Sequence, residues 1–137
     1  DHRAPVALPV GQGGVGLACT DLLCPEGVLR ENKRSLELAA TCPEDSPLCM
    51  QLYGNDVDRL CEAARWAEDR GAHVIDINMG CPVNRIAGAG AGAGMMCNTD
   101  GTMKLVQTVV KRGYRLALDP AAGPVPVGGH CLHGDAV

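Results

Sequence analysis

Three polar groups stand at the ends of apolar runs in this sequence. Thr20-Asp21 lies near the end of the run from Gly16 to Leu23. Gln51 lies in Leu48–Leu52 and is followed by Gly54. Asn78-Met-Gly-Cys-Pro82 follows His73-Val-Ile-Asp-Ile77. In parallel α/β folds, active groups gather where strands run out into loops. A polar side chain deep in an apolar strand must find a hydrogen-bond partner. Gln51 and Asn78 each offer a donor amide and an acceptor carbonyl, which suits a heteroaromatic ring whose edge alternates donors and acceptors, such as a flavin or a pyrimidine. Each residue also has a plainer reading. Cys81 can be a small buried hydrophobe. Asn78 can close an Asx turn. Gln51 can bond to backbone, Asp21 can be solvated, and Arg85 can be an ordinary surface cation.

The elements that must carry these groups follow from periodicity. Gly16–Leu23 and Leu48–Leu52 read as buried strands, and His73–Asn78 as a third. Pro25–Ala40 reads as a helix with imperfect spacing and a charged middle, Arg30 to Arg34. The best-defined helix starts at a cap supplied by Asn55 or Asp56. Val57, Leu60, Cys61, Ala64 and Ala67 fall on one of its faces, and Gly71 stands at its end. Asp100–Arg112 is a further amphipathic helix, closed by Gly113. Strand and helix alternate as in successive parallel βαβ units. Ala87-Gly-Ala-Gly-Ala-Gly-Ala-Gly94, taken alone, reads as a flexible linker. The expected organisation is an irregular lead-in over residues 1–15, a domain over 16–118, and a Pro/Gly-rich tail over 119–137.

Composition narrows the classes. With 137 residues the chain holds one ordinary domain. Its apolar fraction is 46%, but it has two Tyr, one Trp and no Phe, so the core must be built of thin aliphatic layers. The same scarcity argues against a platform on which single-stranded bases stack. A net charge of −4 excludes binding of nucleic acid by bulk electrostatics. No membrane span and no secretion signal are expected. Eight cysteines allow a disulfide framework, but most lie in apolar or helical patterns and none forms a C-x-x-C pair. A cytoplasmic protein with reduced thiols is expected. No metal site is expected, although His130, Cys131 and His133 stand close together in the tail.

Ile75-Asp-Ile-Asn-Met-Gly-Cys-Pro-Val83, with Arg85-Ile86 and the Gly-Ala run behind it, closely resembles the signature of bacterial tRNA-dihydrouridine synthases. Met50-Gln-Leu-Tyr-Gly54 is similar to that family's preceding strand. Cys19-Thr-Asp-Leu-Leu-Cys-Pro-Glu-Gly27 is similar to the strand and helix before it, with Asp21 where a Glu is usual. The resemblance runs from about Gly16 to Lys111. It implies an α/β fold, part of a TIM (β/α)8 barrel with three to four parallel βα units. It implies reduction of the C5–C6 bond of uridines in tRNA, with FMN as cofactor and NADPH as its reductant. Carried across, Cys81 is the catalytic proton donor and must act as the thiol. Gln51 and Asn78 bind the flavin, and Asn78 and Arg85 meet the tRNA substrate. The Gly-Ala run stands where the family has a Gly-rich loop over the substrate.

The resemblance is partial. Ala4-Pro5-Val6 only faintly echoes the family's opening strand, and after Lys111 the match ends. A full barrel takes about 250 residues, so the chain alone is expected to have little activity and to self-associate through open sheet edges. The alternatives are another FMN barrel, such as a dihydroorotate dehydrogenase-like enzyme, or a non-catalytic remnant that acts as an interaction module. Met79-Gly80 ahead of Cys81-Pro82, with the Gln51 block, favours the tRNA enzyme.

Overall fold

The computed structural model describes Gly14 and residues 16–112. The expected lead-in (Gly14 apart), the expected tail, residues 113–118, and His130, Cys131 and His133 lie outside the described residues. Three strands, β1 (Ala18–Cys19), β2 (Leu48–Leu52) and β3 (Val74–Ile77), form one parallel sheet in the order β1-β2-β3. The helices between and after them are α1 (Pro25–Leu29), α2 (Lys33–Leu38), α3 (Val57–Asp69), α4 (Asn84–Ala87) and α5 (Thr99–Lys111). A 3-10 helix over Gly92–Cys97 precedes α5.

All five residues of β2 are buried, as a central parallel strand requires. Alternation divides them. Leu48, Met50 and Leu52 join Leu60, Ala63, Ala64 and Ala67 of α3, Ile75 of β3, and Leu105 and Val109 of α5 in one apolar cluster. Cys49 and Gln51 point to the opposite face. Three fully buried alanines let α3 lie close to the sheet, which is how a chain without Phe fills its core.

Helix α3 is bounded by local chemistry. Asp56 caps it, accepting the N–H groups of Asp58 at 3.0 Å and Arg59 at 3.1 Å. At the other end Gly71 takes φ +92°. The Gly71 N–H donates to Glu68 O at 2.9 Å and the Ala72 N–H to Ala67 O at 3.0 Å, the two bonds of a Schellman motif. Trp66, the sole tryptophan, is buried on α3, and the Arg70 guanidinium stands 4.0 Å from its ring centroid. The Trp66 indole N–H finds no acceptor among the described residues.

Three expectations are corrected. The strand expected over Gly16–Leu23 is cut short. Ala18 pairs with Leu48 and Cys19 with Cys49, but Leu23, not Leu22, bridges to Leu52, so one extra residue bulges out around Asp21. Within the bulge the Thr20 hydroxyl accepts the Gln51 N–H at 3.2 Å, where a backbone carbonyl would otherwise serve. The helix expected over Pro25–Ala40 is two helices. Glu31 turns to φ +52°, and Asn32 starts α2 by accepting the N–H groups of Arg34 and Ser35. The Gly-Ala run is no linker: α4, a tight turn and the 3-10 helix take it up, and Ala91 and Gly92 are buried.

Candidate active site

The polar groups of the sheet meet in one row. The register sets Gln51 beside Asp76 on neighbouring strands. Gln51 Nε2 donates to Asp76 Oδ2 at 2.5 Å. Gln51 Oε1 in turn accepts from Asn78 Nδ2 at 3.3 Å. Asn78 Oδ1 accepts two backbone N–H groups, from Gly80 at 3.2 Å and from Cys81 at 2.9 Å. Both amide side chains are buried. Asn78 therefore closes the turn after β3, the plainer reading of this residue, and by doing so fixes the backbone of Cys81 relative to Gln51. Gln51 bonds to side chains rather than to backbone alone.

Cys81 is half-buried in the loop between β3 and α4. Its carbonyl accepts the Ala93 N–H at 3.0 Å. Gly92 packs on it: a Cβ at residue 92 would stand 2.8 Å from Cys81 O and 3.2 Å from Cys81 Cβ, and φ there is +52°. Only glycine meets both conditions without displacement.

Arg85 lies on α4 and is exposed. It borders a cleft of about 290 Å³ together with Cys24, Tyr53, Asn55, Arg59 and Ala91. Arg59 is held by Glu62 at 3.0 Å and Glu26 at 3.5 Å. Arg85 makes no ion pair among the described residues, so it is the cleft's available cation. Partial burial pushes the Tyr53 phenol up, as does its hydrogen bond with the Cys24 thiol, while the Arg85 charge opposes the rise. Asp21 is exposed on the β1 bulge, outside the row. Among the described residues no group of three or more His, Cys, Asp or Glu could hold a metal ion. No helix among them is long and apolar enough to cross a membrane.

Sequence reasoning missed Asp76, Tyr53 and Asn55. Asp76 was legible as the one charged residue of its strand. Asn55 was hidden by its neighbour, since either residue could cap α3; the structure gives the cap to Asp56 and sends Asn55 Nδ2 to Ala89 O at 2.7 Å.

A carboxylate, two amides and a thiol-bearing turn thus stand at the carboxyl ends of parallel strands. That set fits the edge of a flavin ring, which alternates donors and acceptors. Fold and site together define a parallel α/β protein with a row of bonded polar groups at its strand exits, where such folds place their active groups. The chain belongs to the dihydrouridine synthase family: the family model described as Dihydrouridine synthase (Dus) matches residues 8–115. It is 32% identical over 121 residues to tRNA-dihydrouridine synthase B of Xanthomonas campestris pv. campestris, covering 88% of this chain and 35% of that protein. It is 31% identical over 99 residues to a probable tRNA-dihydrouridine synthase of Rickettsia prowazekii, covering 72% of this chain and 30% of that one. A probable tRNA-dihydrouridine synthase of Rhodobacter capsulatus is 33% identical over 111 residues, with 77% and 33% covered. The chain spans about a third of the length of these relatives.

Proposed function

We propose that this chain forms the uridine-facing part of a flavin-dependent tRNA-dihydrouridine synthase, built on three of the parallel βα units of a TIM barrel. The observation that carries the reading is the hydrogen-bonded series from Asp76 through Gln51 and Asn78 to the Cys81 N–H. FMN, reduced by NADPH, would supply the hydride for one carbon of the uracil C5–C6 bond. Gln51 and Asn78 hold the ring edges of flavin and base. The Cys81 thiol gives its proton to the other carbon, so hydride and proton together saturate the double bond. Arg85, at the mouth of the cleft, neutralises phosphate of the RNA. The uridine must leave its stack to reach this site. Seven free thiols among the described residues accord with the cytoplasm, a reducing compartment. β1 and β3 are the sheet edges among the described residues, and each offers backbone for pairing with further strands or another copy.

The test grafts residues 16–112 in place of the matching segment of the Xanthomonas campestris synthase and measures dihydrouridine in an unmodified tRNA transcript by mass spectrometry. Activity that falls about a hundredfold or more on Cys81→Ala supports the reading. Full activity without Cys81 would refute it. The chain by itself, titrated with FMN, should show no saturable fluorescence quenching below millimolar ligand. Tight quenching would contradict the expectation that it does little alone.

A further inference from the structure

The Gly-Ala run makes contacts that the proposed chemistry does not explain. Asn55, in the loop between β2 and α3, donates from Nδ2 to Ala89 O at 2.7 Å. Gly90 turns to φ +79°, and a Cβ there would stand 3.0 Å from Asn55 Nδ2, so the amide lies directly against the loop's bend. Three residues past Gly90, the Ala93 N–H donates to Cys81 O at 3.0 Å. Between them, Gly92 lies against the Cys81 carbonyl and Cβ and against Ile86 Cγ2. One stretch, Ala89 to Ala93, is thus pinned at one end to the neighbouring βα unit and at the other to the backbone of Cys81.

We propose that Asn55 is a positioning residue for Cys81, acting through the Ala89–Ala93 stretch as a brace. Asn78 fixes the Cys81 N–H from the β3 side. The brace fixes its carbonyl through the Ala93 N–H. A thiol that must deliver a proton to one carbon needs both constraints, because small misplacement of a reacting group costs rate steeply. Without Asn55 the bend at Ala89–Gly90 keeps its bonds to Ile86 and Ala87 but loses its tie to the β2–α3 loop, so the stretch is held less firmly against the Cys81 carbonyl. The inference rests on the reading of Cys81 as the proton donor, but its first readout does not.

That readout is the alkylation rate of Cys81 by iodoacetamide, followed by peptide mass spectrometry, with exposed Cys19 as internal reference. Asn55→Asp keeps the shape of the side chain and loses the donor. Gly92→Ala loosens the brace at its other end. Both should raise the Cys81 rate relative to Cys19 about fivefold, the ratio that one hydrogen bond sets. Asn55→Gln, which keeps the donor on a longer stem, should return the ratio part of the way. In the grafted synthase, Asn55→Asp should lower kcat and leave KM for tRNA unchanged. An unchanged alkylation ratio overturns the proposal, and so does a parallel rise of both thiols, which marks general loosening. Dihydrouridine formation that survives Cys81→Ala refutes the catalytic reading and leaves the alkylation result standing by itself.

Discussion

Asn78 and Cys81 are joined side chain to backbone: Asn78 Oδ1 accepts the Cys81 N–H at 2.9 Å while Asn78 Nδ2 donates to Gln51 Oε1 at 3.3 Å. One buried amide thereby ties the residue read as proton donor to the central strand. The position of the thiol is a property of the sheet register, since Gln51 is itself set beside Asp76 by strand pairing.

Asn78→Ala removes both bonds together with the one from the Gly80 N–H, and leaves Gln51 without one of its buried partners. The expected cost is about 1–3 kcal/mol, the usual range for a buried polar group that loses its partner. Urea unfolding followed by circular dichroism measures it as a lower midpoint with an unchanged slope.

Asp56→Ala removes the side-chain oxygen that accepts the Asp58 and Arg59 N–H groups. A cap of this kind contributes about 1 kcal/mol. The melting temperature should fall accordingly, and Asp56→Ser should restore most of it.

Gly71→Ala isolates the backbone term. A Cβ at residue 71 meets no atom within 4 Å, so the loss comes from φ +92° alone. About 1–2 kcal/mol is expected in thermal or urea unfolding. Gly71→Asn should cost less, because Asn tolerates the left-handed region.

Two thiols should separate by pH. The hydrogen bond from Cys49 holds the Cys19 thiol below the ordinary range, against burial and the nearby Asp76 and Asp21 charges. Partial burial and the Asp45 and Glu44 carboxylates push the Cys42 thiol above it. A lowered pKa puts the thiolate, the reactive form, at lower pH. The rate–pH curve of Cys19 alkylation should therefore lie to the acid side of the Cys42 curve. Cys49→Ala should move the Cys19 curve to higher pH and leave Cys42 in place.

Much of this was legible because periodicity and caps agreed. Leu48–Leu52 is legible with its observed bounds, since the six residues between Pro47 and Gly54, none of them charged, admit only a short buried strand. A cap at Asn55 or Asp56, a 3.6-residue apolar stripe and Gly71 delimit α3 for the same reason, and the structure gives the cap to Asp56. The break between α1 and α2 was not legible in the apolar pattern, because its cause is local: Asn32 can cap a new helix only if Glu31 enters the left-handed region, which Glu rarely does. The order of the Gly-Ala run was invisible for the opposite reason. Its alternation of Ala and Gly carries no apolar helix period, and what orders it is tertiary: Asn55 on one side and Cys81 on the other. Gln51, Asn78 and Cys81 could be named from the sequence, but not the bonds that join them, which depend on register.

Trp66 gives the molecule a built-in optical reporter. As the lone indole, shielded on α3 and overlain by the Arg70 guanidinium, it dominates the intrinsic emission. Any event that lifts α3 from the sheet should wet this ring and shift its spectrum to the red. Detachment of the scaffold behind the strands can then be followed without a label, separately from chemistry at their exits.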